Sequence, residues 1–91
     1  MARYEDLCAD FIKNRPRGPI SGEIPWFNVP LGEWRGNEST NDVLIRHLKN
    51  FGMEYLCEAG TVWFLYRGLW KCSTREVKDG KLCFCVACFD Y

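Results

Sequence analysis

The sequence predicts an α+β domain: two helices packed on a four-stranded antiparallel β-meander, with an extended Pro/Trp-rich segment between the helices. Apolar residues recur at helical spacing in two stretches, and all the prolines lie in the segment between them. After Met53, aromatic and β-branched residues alternate between short turn dipeptides. At 91 residues and 47% hydrophobic composition, the chain has material for one core. We therefore expect a single domain over residues 1–91.

Each predicted helix shows one apolar stripe and a stop signal. The stripe of the first helix consists of Tyr4, Leu7, Cys8, Phe11 and Ile12. Pro16 ends this helix, because proline disfavours helical backbone in the residue before it. The stripe of the second helix consists of Val43, Leu44, Leu48 and Phe51. Ser39, Thr40 or Asn41 can cap its start, and Gly52 fits its end.

The segment from Asn14 to Gly36 holds all four prolines and four of the eight glycines, which disfavours helix and favours an extended path. It is too apolar for a solvated linker, because it includes Ile20, Ile24, Trp26, Phe27, Val29, Leu31 and Trp34. We expect it to pack across a surface, with one short strand from Trp26 to Val29.

Three dipeptides predict tight turns: Ala59-Gly60, Arg67-Gly68 and Asp79-Gly80. They divide the rest of the chain into strands over 54–58, 61–66, 69–78 and 81–89. Two-residue turns also fix which residues lie opposite each other, and opposite residues share a face.

This register separates the strand residues into two faces. The first collects Leu56, Trp63, Leu65, Trp70, Cys72, Cys83, Cys85, Ala87 and Phe89. The second collects Tyr55, Cys57, Val62, Phe64, Tyr66, Leu69, Lys71, Ser73, Arg75, Val77, Leu82, Phe84, Val86 and Cys88. We expect both helices on the first face. The second is too apolar for a solvated face, so we expect either the Trp26–Trp34 segment or another molecule to cover it.

The charge balance excludes a strong field toward nucleic acid or anionic membranes, since twelve Lys and Arg offset twelve Asp and Glu. No apolar run approaches the roughly 20 residues that span a bilayer. The first ten residues include charged side chains where a secretory signal would have an apolar stretch. We therefore expect an intracellular protein, in cytoplasm or nucleus, with no membrane partner. In a reducing compartment its six cysteines would be free thiols or metal ligands.

The spacing Cys83-x-Cys85-x-x-Cys88 is the sharpest motif. On a strand, Cys83 and Cys85 point the same way about 7 Å apart while Cys88 points to the opposite face, which is poor geometry for one metal ion. A bulge near residue 86 or 87 would turn Cys88 and, with Cys72, complete a four-thiolate zinc site. The expectation is no metal, with this zinc site as an alternative. In an oxidising compartment, Cys72 and Cys85 would be the first disulfide pair to check.

No catalytic constellation stands out. His47 is the one histidine, and nothing selects a cysteine to pair with it. The glycine-rich phosphate loops of nucleotide-binding proteins are also missing from the sequence. We expect a protein that is not an enzyme and has no cofactor.

The sequence therefore favours a protein-interaction module that binds a protein partner, or a second copy of itself, through the second sheet face and the Trp26–Trp34 segment. The expected anchors are Trp26, Phe27, Trp34, Tyr55, Phe64, Tyr66 and Phe84. The alternative is a small RNA- or DNA-binding protein, because bases stack on aromatic side chains beside cations. Its basic residues would be Arg67, Lys71, Arg75 and Lys78.

Overall fold

A computed structural model describes residues 3–34 and 37–89 of the chain. The elements are α1 (Tyr4–Asn14), β1 (Ile20–Pro30), a short 3-10 helix (Leu31–Glu33), α2 (Thr40–Phe51), β2 (Tyr55–Glu58), β3 (Thr61–Tyr66), β4 (Leu69–Lys78) and β5 (Lys81–Phe89). The sheet is antiparallel, in the order β1-β5-β4-β3-β2. The α+β class is confirmed. The sheet has five strands, not the predicted four, because the segment between the helices supplies β1.

The capping residues of α2 hold both of its ends. Ser39 accepts a hydrogen bond from the Asp42 backbone N–H, and the Asp42 carboxylate accepts one from the Ser39 N–H. This reciprocal pair satisfies donors that the first helical turn leaves open. At the other end Gly52 takes a left-handed conformation with φ of 70°, which favours glycine.

All three predicted turns form between the last four strands. Ala59, Arg67 and Asp79 each adopt a positive φ, and each is followed by a glycine with positive φ. This conformation belongs to two-residue hairpin turns, whose twist matches that of the flanking strands. The strand pairings therefore follow the predicted register, with Leu56 opposite Trp63 and Trp63 opposite Cys72.

β1 is longer than the short strand predicted over residues 26–29. Its two prolines are tolerated because β1 lies at the edge of the sheet. β1 pairs only with β5 and is an outer strand of the sheet. Pro25 lies opposite Cys85 and Pro30 opposite Lys81. The two-residue turn before β5 fixes which residues of β5 bond to β4, and Lys81 and Cys85 are among them. Their pairs with Pro30 and Pro25 on the β1 side are therefore non-hydrogen-bonded. Each proline nitrogen therefore faces away from β5, where no donor is needed.

Trp26 forms a bulge in β1. The register shifts between Pro25, which lies opposite Cys85, and Phe27, which lies opposite Phe84. A bulge places two successive residues against one partner residue, so Trp26 and Phe27 both reach the same face of the sheet. Their ring centroids lie 5.0 Å apart.

The two helices cover opposite faces of the sheet, so the prediction that both pack on the first face is wrong. α1 packs on the predicted first face, hereafter the α1 face, where Phe11 contacts Leu56 and Trp70. α2 packs on the second, hereafter the α2 face. Its cluster contains Val29, Val43, Leu44, Leu48, Val62, Phe64, Leu82, Phe84 and Val86. Both faces are apolar because each one packs against its own helix. The alternation of apolar residues along the strands does not show which helix covers which face.

β4 changes neighbours half-way along its length. Residues 69–72 pair with β3, and residues 73–78 pair with β5. β4 therefore joins two hydrogen-bonded parts of the sheet. Trp26 on β1 and Phe64 on β3 have ring centroids 5.0 Å apart, although β5 and β4 lie between their strands.

Candidate interaction surface

An aromatic surface remains open where α2 ends. Its centre is Trp26, whose ring centroid lies 5.6 Å from that of Phe51 and 5.8 Å from that of Tyr66. Ile24 on β1 and Leu69 on β4 lie on the same face, opposite Val86 and Tyr66 respectively. We call these five residues, Ile24, Trp26, Phe51, Tyr66 and Leu69, the aromatic patch.

The patch combines exposure with fixed positions. Phe51, the last residue of α2, is 51% exposed, and Ile24 and Leu69 are about half exposed. Trp26 and Tyr66 are partly buried against the α2 core cluster. Phe27 supports the patch from below, because its ring stacks on Phe84 at 4.8 Å and lies 5.8 Å from Phe51. The rings are thus held in place while one side faces solvent.

A cation borders the patch. The Arg67 guanidinium carbon lies 5.5 Å from the centre of the Tyr66 ring. This distance fits a cation–π contact, which holds the charge beside the aromatic surface. The turn between β3 and β4 fixes this arrangement, since Arg67 is one of its two residues.

The structure brings some of the predicted partner-binding residues together and separates others. Trp26, Phe27 and Tyr66 lie in or directly beneath the patch. Trp34 lies at the opposite end of α2, where its indole N–H donates to the Glu38 carbonyl at 2.9 Å. Tyr55, on β2, is partly buried and lies opposite Phe64 on β3.

Two predicted anchors belong to the core. Phe64 is 0% exposed and Phe84 is 1% exposed. α2 packs over both, and the Trp26–Trp34 segment joins the same cluster as an added strand beside β5. The expectation that Phe64 and Phe84 contact a partner is therefore wrong for this fold, because their side chains are inaccessible.

The predicted nucleic-acid residues do not form one cationic surface. Arg67 lies beside the patch, whereas the Lys71 ammonium lies 6.0 Å from the centre of the Phe89 ring, which belongs to the α1 face. The Arg75 guanidinium instead donates to the Asn41 side-chain carbonyl at the start of α2. Lys78 lies opposite Lys81 at the tip of the β4–β5 hairpin.

The four cysteines considered as zinc ligands do not all lie on one face of the sheet. Cys88 lies opposite Gly22 on the α2 face, whereas Cys83 and Cys85 lie on the α1 face. Both register shifts place their extra residue in β1, so β5 has no bulge that would turn Cys88. Among residues 3–34 and 37–89, no group of three or more His, Cys, Asp or Glu side chains could hold a metal ion.

Two of the thiols have raised pKa values. All six cysteines are free, Cys57 is exposed, and the other five are partly buried. Burial raises the pKa of Cys72, and burial with the nearby charge of Glu23 raises that of Cys85. A raised pKa keeps these thiols protonated near neutral pH, which makes them poor nucleophiles.

His47 takes part in packing. Its imidazole lies 4.5 Å from the Phe27 ring, and burial followed by the charge of Arg46 lowers its pKa. It also lines a polar cavity of about 180 Å³ with Asn28, Val29, Glu33, Arg46 and Asn50. No nucleophilic side chain is among these lining residues, so the cavity lacks the pairing that covalent catalysis uses.

Sequence reasoning missed three members of the patch. Phe51 was assigned to the buried stripe of the second helix, and Ile24 and Leu69 were not named as contact residues. The available signal was Gly52, which ends α2 directly after Phe51, so no following helical turn can cover this side chain.

In the described part of the chain, neither helix is long and apolar enough to cross a membrane. Comparisons with family models, with curated proteins and with solved structures find no match to this chain.

Proposed function

We propose that this protein is a non-enzymatic interaction module that binds a protein partner through the aromatic patch. The observation that carries the proposal is Phe51: its aromatic ring is half exposed, yet it is held against Trp26 and Phe27. Aromatic side chains that are already ordered lose little conformational entropy on binding, and they are enriched among the residues that dominate interface energies.

The chemistry of the patch indicates what the partner presents. Ile24, Phe51 and Leu69 offer apolar area, which a partner's apolar side chains would cover. Arg67 at the border would attract an acidic group of the partner. The partner is therefore a protein surface with apolar side chains beside a carboxylate, carried by another protein or by a second copy of this chain.

Site-specific photo-crosslinking tests the proposal. A benzophenone amino acid replaces Phe51 in one variant and Lys49 in a matched control, since Lys49 is exposed on the same helix outside the patch. We expect adducts from position 51 that position 49 does not give, and loss of these adducts when Leu69→Ser is added. Equal adducts from both positions, or none from position 51, would contradict the proposal. An adduct of twice the monomer mass would identify a second copy as the partner.

Nucleic-acid binding is the second candidate, and the contact of Arg67 with Tyr66 favours it, because bases stack on aromatic rings beside cations. The two candidates differ in their response to salt. Binding to phosphates weakens steeply as salt rises, whereas binding to an apolar protein surface changes little. Gel shifts with single-stranded RNA and DNA at low and high salt separate them. A salt-sensitive shift that Arg67→Ala abolishes would favour nucleic acid.

A further inference from the structure

Among the residues that the structure describes, β2 is an outer strand of the sheet and its far edge is unpaired. Because Ala59 and Gly60 form a two-residue turn, Glu58 and Thr61 are a hydrogen-bonded pair, and bonded pairs then alternate along the strand. The bond from the Leu65 N–H to the Glu54 carbonyl, 3.0 Å long, fits this alternation. Tyr55 and Cys57 therefore direct their N–H and C=O groups away from β3.

An apolar groove runs beside this edge on the α1 face. The groove has a volume of about 140 Å³, and Tyr4, Cys8, Phe11, Ile12 and Leu56 line it together with Cys57 and Glu58. Tyr4 is 64% exposed and Ile12 is 66% exposed, although both belong to the apolar side of α1. Apolar surface thus lies directly beside unpaired backbone donors and acceptors, the combination that strand addition uses.

The other outer strand lacks this combination. β1 contains Pro25 and Pro30, which face its open edge without an N–H to donate. β2 contains no proline and is therefore the edge that is chemically competent to pair with an incoming strand.

Charge on β2 selects the kind of strand that would fit. Glu54 directly precedes β2, and its carbonyl continues the ladder by accepting from the Leu65 N–H. By alternation, the side chains of Glu54, Leu56 and Glu58 therefore lie on the α1 face. Glu58 lies 3.5 Å from Arg15, but both side chains are about half exposed, and such pairs contribute little. An incoming strand would thus meet a carboxylate on each side of Leu56.

A second copy of β2 is a poor occupant. If two copies paired antiparallel with Leu56 opposite its equivalent, Glu54 of each copy would lie opposite Glu58 of the other. Like charges directly opposite each other destabilise a strand pair. A strand with basic residues in those two positions would instead make favourable pairs.

We propose that the β2 edge and the adjoining groove bind an extended segment of another protein, which adds to the sheet as a sixth strand. The segment carries an apolar side chain that enters the groove beside Leu56, and Lys or Arg two positions before and two positions after it. This surface lies on the α1 side of the sheet, so the proposal does not depend on the aromatic patch.

Two blocked heptapeptides test the proposal with the full chain. One is Thr-Lys-Val-Leu-Val-Lys-Thr, and the control replaces both lysines by glutamate. The readout is amide hydrogen exchange followed residue by residue by NMR. At millimolar lysine peptide we expect exchange at Tyr55 and Cys57 to slow by about tenfold, as for amides that gain persistent hydrogen bonds. We expect no slowing with the glutamate peptide.

The double variant Glu54→Lys, Glu58→Lys is the matched test of charge, since it leaves the backbone edge and the apolar lining of the groove in place. It should reverse the preference and bind the glutamate peptide. The proposal is overturned if neither peptide slows exchange at Tyr55 and Cys57, or if both peptides slow it equally. Retained binding of the lysine peptide by the double variant would likewise overturn it.

Discussion

Replacing Phe11 by alanine removes the buried side chain of α1 that packs against the sheet. Phe11 is 2% exposed, and its ring centroid lies 5.2 Å from each of the Trp63 and Trp70 rings. Truncating a buried phenylalanine to alanine costs about 3–5 kcal/mol. Domains of this size are stable by about 5–15 kcal/mol, so the change removes a large share of the free energy of unfolding.

The same loss sets the expected fall in melting temperature. For a domain of this length, each kcal/mol corresponds to about 4–8 °C, so Phe11→Ala should lower Tm by about 12 °C or more. Phe11→Leu should lower it much less, because leucine keeps most of the buried apolar volume. Urea denaturation, followed by far-UV circular dichroism and tryptophan fluorescence, gives the free energies directly.

Ile12 provides the matched control for Phe11. It is the next residue of the same helix and is 66% exposed, so Ile12→Ala should change the free energy of unfolding by no more than about 0.5 kcal/mol. If Phe11→Ala cost less than about 1 kcal/mol, a value far below that of a buried aromatic, the packing of α1 against the sheet would be refuted. An equal loss from Ile12→Ala would refute it as well.

Three further predictions follow from local contacts. Ser39→Ala should lower the free energy of unfolding by about 1 kcal/mol in urea, because the bond to Asp42 is lost, whereas Ser39→Asp should preserve most of it. Burial and Arg46 lower the pKa of His47 in the folded chain, so the unfolded chain takes up a proton first as the pH falls through 6.5. Stability should therefore be greatest above that pH and decrease below it. By NMR, the imidazole C–H resonances of His47 should titrate with a pKa below 6.5, and a higher pKa would contradict its partly buried environment. Iodoacetamide should modify exposed Cys57 faster than Cys72, because burial raises the pKa of Cys72. Peptide mass spectrometry after labelling at mildly alkaline pH measures the two rates. Equal rates would contradict this ranking.

The sequence predicts the hairpins well because their determinants are local. Glycine follows a residue with positive φ in each turn, and the turn length then fixes the register of the adjoining strands. The ends of α2 are predictable for the same reason, since Ser39 and Gly52 act on backbone groups close to them in sequence.

The fifth strand and the helix placement depend on distant contacts. Pro25 and Pro30 argue against a regular strand unless it is known to be an edge strand, and the pairing of β1 with β5 decides this. Alternation shows that both sheet faces are apolar, but it does not indicate which helix covers each one. The error at Phe64 and Phe84 follows directly, since α2 covers the face that was expected to be available to a partner.

The candidate surface was predictable in composition but not in outline. Trp26 and Tyr66 stand out as aromatic residues, yet the bulge that directs Trp26 toward Tyr66 has no evident sequence signal. Phe51 is exposed because α2 ends there. Only the position of α2 on the sheet shows how much of the sheet face the helix covers.

The strand order imposes a sequence of events on folding. β2 to β5 form from neighbouring hairpins, whereas β1 pairs with residues about 50 to 70 positions away and must close a long loop first. During synthesis, β1 would leave the ribosome early and remain unpaired until β5 had emerged. The aromatic patch draws on β1, α2, β3 and β4, so a partner that recognises it would bind only chains that had completed their fold.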